Sequence, residues 1–294
     1  MIKEIRSSSP YLSAMRLHFA SIALLLLTAS TAFGQAPITK GRVFISWGWN
    51  RSAYTDSDIH FTGDDYDLTL SNVHATDRPT RVTLDYLNPV KLTIPQTNFR
   101  LGWFFRDHYS IALGFDHMKY VVVQDQVVQA DGHIYHPNGE VTRYMDEPVT
   151  ITSQFLTYEH TDGLNFIHLE LARHDRLLNI DPLRMDVLLS EGIDAGVLMP
   201  RTASRFLGKP LNDAYHLSGY GTGLKLGLVL QFIDRFFVGM EVKGGFIAMP
   251  DVRTSNIKSD RASQHFWYKE GIVLFGASFR LHDPKVLTRP ASGH

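Results

Sequence analysis

The stretch Tyr158-Glu-His-Thr-Asp-Gly-Leu-Asn165 holds the most enzyme-like grouping in the chain. His160 stands beside Thr161, with Asp162 two residues on and Glu170 further down. A histidine with carboxylates nearby has the groups for general acid–base hydrolysis. No serine or cysteine adjoins it to act as nucleophile, and Thr-Asp-Gly also reads as a plain turn. Five aspartates, Asp56, Asp58, Asp64, Asp65 and Asp67, could supply the oxygen ligands that calcium takes. Their spacing does not match an EF-hand loop, and a solvated acidic surface is the stronger reading. His133 and His136 are three apart but share a loop with Pro137 and Gly139. There is no HExxH and no P-loop, and Gly-Tyr-Gly-Thr-Gly at 219–223 leads into a strand pattern rather than a helix. No cofactor is expected.

Composition narrows the setting for these residues. The 294 residues include no cysteine, which excludes disulfides, zinc–thiolate sites, iron–sulfur clusters and thiol nucleophiles. A formal charge of -1 gives no basic excess for binding nucleic acid. With 12% aromatic residues the chain is too apolar to remain disordered.

One segment, Phe-Ala-Ser-Ile-Ala-Leu-Leu-Leu-Leu-Thr-Ala-Ser-Thr-Ala-Phe at 19–33, nears membrane-helix hydrophobicity. Arg16 precedes it and Ala32-Phe33-Gly34 follows the core. This is the pattern of a cleaved signal peptide over 1–34, with Met1 or Met15 as the start.

After Gln35 the apolar period is two. Eight runs alternate, near 42–50, 97–105, 110–122, 164–173, 187–198, 219–232, 236–248 and 267–281. In the first, Val43, Ile45, Trp47 and Trp49 share one face; Arg42, Ser46, Gly48 and Asn50 share the other, joined by Phe44. In the sixth, Leu224, Leu226, Leu228 and Leu230 oppose Gly221, Gly223, Lys225 and Gly227. A soluble barrel such as a lipocalin would turn its bulky face inward. Glycine mixed with charge suits a narrow interior better than a wet exterior, so the bulky face is read as outward, toward lipid. Short connections alternate with long ones around the chain. The expected fold is all-β, an eight-stranded antiparallel transmembrane barrel spanning 35–281. Long external loops lie at 51–96 and 123–163, and a polar tail at 282–294. Ten strands are the alternative, because 121–128 and 150–158 also alternate; these are read as a hairpin rising above the membrane.

The same parity turns Arg42, Arg100, Lys225, Lys243 and Arg280 inward, together with Asp116, Glu170, Asp194, Glu241 and Glu270, and with His168 nearby. Arginine or lysine at the lipid midplane would cost roughly 2–4 kcal/mol each, so this set decides the sidedness. Paired charges would close a lumen only wide enough for side chains. Glu191 breaks the pattern by falling on the apolar face.

The stretches GRVFISWGWNRSAY, IPQTNFRLGWFF, YEHTDGLNF and ASQHFWYKEG resemble uncharacterised exported barrel proteins of Bacteroidota-type bacteria, within the small outer-membrane barrels of Gram-negative bacteria. The resemblance implies the fold and an outer-membrane location. The partners that follow are outer-membrane lipid and lipopolysaccharide, with an extracellular ligand at the acidic loops, no nucleic acid, and a monomeric state. In outline, residues 158–165 also resemble barrel lipid A deacylases, which place a His, a nearby Ser and a Glu at the rim. The position matching that Ser is Asp162. The leading expectation is a non-enzymatic barrel closed by ion pairs. The alternatives are a lipid A-modifying hydrolase and a narrow conduit for small apolar solutes.

Overall fold

The computed structural model describes residues 40–79, 96–212 and 214–280. The signal-peptide segment 1–34 and the tail 282–294 lie outside these residues. The strands in chain order are β1 (Arg42–Tyr54), β2 (Ser57–Gly63), β3 (Tyr66–Val73), β4 (Ala75–Thr76), β5 (Thr97–Arg106), β6 (Tyr109–Val122) and β7 (Val127–Tyr135). After them come β8 (Val141–Thr150), β9 (Leu156–Ile180), β10 (Met185–Leu198), β11 (Ala203–Phe206), β12 (Gly219–Phe232), β13 (Phe236–Arg253) and β14 (Arg261–Arg280).

Eight of these close a ring in the order β1-β5-β6-β9-β10-β12-β13-β14, with β14 pairing back onto β1, and every pairing is antiparallel. Closure leaves the ring without an unpaired edge. Cross-strand partners traced from Trp267 run through Phe246, Thr222, Ala195, Leu169, Leu113, Leu101 and Ile45, and arrive at Ala277. The register has slipped ten residues along β14 in one circuit. A stagger of that kind tilts the strands by about 35–45°.

The parity holds on every ring strand. Ile45, Leu101, Leu113, Leu169, Ile193, Leu226, Met240 and Phe275 point outward and are exposed. From Phe279 to Trp267 this apolar belt is about 30 Å tall along the axis, taking ~3.3 Å per residue and the strand tilt. Aromatic rings mark both margins. Trp103, Phe105 and Tyr109 adjoin at the short-turn end, and Phe246 lies against Trp267 at the long-loop end with centroids 5.2 Å apart. Glu191, the residue that broke the alternation, lies directly opposite Arg173 near the turn end, so two outward charges face each other at the belt's margin.

Two expectations about connections need correction. The turn between the fourth and fifth ring strands is not 174–186. β9 and β10 continue to Ile180 and from Met185, joined by a single 3-10 turn over Asp181–Leu183. Nor are 51–96 and 123–163 simply loops. β2 pairs with the upper end of β14, β3 with β2, β7 with β3 and β8 with β7, so the barrel sheet extends beyond the belt. The upper hairpin is β7–β8, while Leu156–Tyr158 belongs to β9 itself.

Beyond the belt these strands close over a second core, a dome. Ile59, Phe61, Leu68, Leu70, Val128 and Ala130 from the added strands meet Tyr120, Tyr158, Met249, Phe266 and Tyr268 from the ring. Inward positions that are polar within the belt become apolar above it, the alternation being interrupted by bulges in β9 and β13. Burial of this surface stabilises the dome at roughly 25 cal/mol per Å² of apolar area.

Candidate functional site: the ionic layer of the lumen

The lumen is layered. At the turn end Phe44, Phe104, Ala112, Leu188 and Val229 form a small apolar plug with Phe237 against it. The Phe44 ring lies 5.5 Å from Phe104 and 6.4 Å from Phe237. Phe44, the apolar residue on a polar face, thus has its place in the plug. A Cβ on Gly102 would come within 2.2 Å of the Phe44 ring, so only glycine leaves space for it. The apolar dome core covers the other end. Charge lies between the two.

The lower tier of that charge is a closed four-membered circuit. Arg100 Nε donates to Glu170 Oε2 at 2.9 Å, and its Nη2 lies 3.2 Å from Glu241 Oε2. Lys225 Nζ lies 2.6 Å from Glu170 Oε1 and 3.1 Å from Glu241 Oε1. Two cations and two carboxylates alternate, each touching both opposite charges. All four are buried. Such mutual contact is what lets ionised groups persist away from water.

The upper tier is less balanced. Lys243 Nζ crosses the lumen to Asp116 Oδ2 at 2.6 Å and also reaches Asp194 Oδ2 at 2.9 Å. It sits 4.8 Å from the centre of the Phe166 ring. His168 Nε2 is 3.1 Å from Asp116 Oδ2, and Asn98 Nδ2 donates to Asp116 Oδ1 at 2.5 Å. Asn50 in turn donates to Asn98 at 2.9 Å. A Cβ at Gly114 would fall 2.2 Å from the His168 imidazole, so glycine there admits the ring. Glu270 is buried beside this group.

Of the eleven residues assigned to the lumen by parity, nine are thus brought into one buried layer. Arg42 and Arg280 are not. Arg42 lies at the turn-end mouth, where it donates to the Asp234 carbonyl and, at 3.0 Å, to the Ser278 hydroxyl. Arg280 is exposed at the end of β14. Parity specifies a side but not a height, and both residues lie below the plug.

The hydrolase grouping is not brought together. His160 is buried in the dome between Tyr120 and Tyr158, with ring centroids 5.6 and 5.1 Å away. Its Nδ1 lies 3.0 Å from the Thr202 hydroxyl. Burial lowers its pKa to about 3, which holds the imidazole neutral. Asp162 points away into an ion pair with Arg201 at 2.9 Å. Glu170 belongs to the lower ionic circuit, ten residues along β9 and about 30 Å away at ordinary strand rise.

The aspartates offered as calcium ligands are dispersed along the β2–β3 hairpin and each of four has its own partner. Asp56 pairs with His74 at 2.7 Å, Asp67 with His60 at 2.9 Å, and Asp65 with Lys209. Asp58 accepts the Asn72 amide at 2.9 Å, and Asp64 lies at the hairpin turn. His136 contacts Thr142 at 2.7 Å, while His133 stands on β7 against Tyr135. Among the described residues no three His, Asp or Glu side chains converge on a metal position.

What sequence reading missed is the apolar half of the interior. Its signal was the alternation of Ile59 and Phe61, of Leu68 and Leu70, and of Val128 and Ala130. Acids on the flanking outward positions, Asp58, Asp67 and Asp131, masked it.

No protein-family model matches the chain, and no curated protein matches it. Among solved structures it overlaps the outer membrane protein OprG from Pseudomonas aeruginosa at 9% identity and a TM-score of 0.35, covering 84% of this chain and 100% of that one. The N-terminal β-barrel domain of Pseudomonas aeruginosa OprF overlaps at 11% identity and a TM-score of 0.32, covering 82% and 100%. Neisserial surface protein A overlaps at 6% identity and a TM-score of 0.29, covering 79% and 97%. Overlaps this loose carry no argument about activity or ligand.

Proposed function

We propose that this chain is a non-enzymatic barrel of the Gram-negative outer membrane. In this reading its lumen is closed, its short turns face the periplasm, and its dome is presented outside the cell. The observation that carries the proposal is the sidedness of the ring. An apolar belt of membrane thickness, bordered by aromatic residues, encloses buried ion pairs, and in water this arrangement would expose its greasiest surface. Closure of the lumen follows from the layering, since an ion would have to cross the phenylalanine plug, the ionic layer and the dome core in turn. A conduit that empties sideways needs a gap between strands, and ring pairing is continuous through the belt. The role left to the molecule is that of a rigid pedestal for an outward surface. Lipid and lipopolysaccharide surround the belt of a monomer, and a ligand meets the acid-rich dome. The similarity to exported barrels of Bacteroidota-type bacteria belongs to the same proposal.

The test combines fractionation with electrical recording. The folded protein should occur in the outer-membrane fraction and migrate differently on a gel before and after boiling. In planar bilayers it should show no steady conductance. Recovery as a soluble protein would overturn the location, and a large steady current would overturn the closure.

A further inference from the structure

The two tiers of the lumen differ in charge balance. The lower circuit matches two cations with two carboxylates. The upper tier places three carboxylates, Asp116, Asp194 and Glu270, around one fixed cation, Lys243. Counting His168 as an imidazolium against Asp116 still leaves one carboxylate in excess. Lys243 spends its contacts on Asp116 and Asp194. Glu270 is 1% exposed, and neither of its oxygens has a hydrogen-bond partner among the described residues. An ionised carboxylate so placed would bear its desolvation cost with no hydrogen bond to offset it.

The groups facing Glu270 come from all around the ring. Lys243 of β13 and Ser52 of β1 are its cross-strand neighbours. Asp116 of β6, Asp194 of β10 and Arg100 of β5 act on it across the lumen. His168 of β9 is held beside Asp116, and Tyr268 is two residues away on the same face of β14, its buried hydroxyl also without a hydrogen-bond partner among the described residues. Both cations within range are already engaged by other carboxylates.

We propose that the upper tier of the lumen is a proton-binding site, occupied at neutral pH by a proton on the Glu270 carboxyl. The step is simple protonation: one carboxylate oxygen takes a proton from water, and nothing is oxidised or reduced. A metal ion would require several converging oxygens, whereas a proton needs one. The site is closed to bulk water by the plug and the dome, so its proton exchanges slowly with solvent.

Infrared spectroscopy of the folded full chain in lipid vesicles at pH 7 tests this. The wild type should show the carbonyl stretch of a neutral carboxylic acid, shifted by carbon-13 labelling of glutamate, and Glu270→Gln should lose it. Replacing sodium by a bulky organic cation should leave it unchanged. The proposal is overturned if the wild type lacks the band, if Glu270→Gln retains it in full, or if it appears only when sodium is withdrawn. The glutamate-labelled wild type keeps the proposal open to refutation even if the variant does not fold: a band that ignores the label rules out Glu270.

Discussion

Arg100 and Lys225 stand on opposite strands of the ring and hold the same two carboxylates, Glu170 and Glu241, between them. Each cation keeps the other's partners in place. Lys225→Met should therefore destabilise the barrel by about 3–5 kcal/mol, because Glu170 and Glu241 would each lose half their compensation while still buried. Lys225→Met combined with Glu170→Gln should cost less than the single change, since one cation then faces one carboxylate. Urea unfolding in lipid vesicles measures both.

The outward belt makes a prediction opposite to that of a soluble barrel. Leu113 is 53% exposed at the middle of the belt. Leu113→Arg should reduce folding stability in lipid by roughly 2–4 kcal/mol, with Leu113→Phe close to neutral. A tolerated arginine would mean that this surface meets water.

Gly102 and Phe44 should behave as a coupled pair. Gly102→Ala places a Cβ within 2.2 Å of the Phe44 ring and should cost about 1–3 kcal/mol through overpacking. In the Phe44→Leu background the same glycine change should cost markedly less. A double-mutant cycle on unfolding free energies gives the interaction directly.

The dome should be acid-sensitive through His160. Its pKa in the folded chain is about 3 because burial disfavours the charged ring, against about 6.5 in an unfolded chain. The unfolded state then binds the extra proton. The His160 contribution is complete above about pH 6.5 and declines as pH falls toward 3, by on the order of 3 kcal/mol at pH 4. His160→Gln should flatten that part of the profile. Proteolysis of the dome as a function of pH reads the effect.

Much of this was legible in the sequence because period two is a strong signal and lipid enforces it. Ile45, Leu101 and Leu226 declare the belt, and Arg100 and Lys243 declare the inner face. Height was less legible. Arg42 and Arg280 have inward parity but lie at the mouth, since alternation carries no information about depth. The run Arg173-His-Asp-Arg176 looks like a turn by composition, yet it continues β9, where Arg173 pairs with Asp175 and Arg176 with Asp186. The dome was hidden for a related reason. Asp58, Asp67 and Asp131 make their segments look like solvated loops, but they occupy alternate positions and leave Ile59, Leu68 and Ala130 to build the core. His160 and Asp162 adjoin in sequence but not in space: β9 bulges between His160 and Leu164, His160 meets Thr202, and Asp162 meets Arg201.

β14 serves two solvents with one alternation. Near its start the even-numbered side chains, Phe266 and Tyr268, fill the dome; further along Val273 and Phe275 meet the belt's surroundings while Glu270 stays within. A slip of a single position during assembly would throw Glu270 toward acyl chains and pull Trp267 into the space meant for Phe266. Both ends of the strand would reject the error at once, so the molecule proofreads its own closure.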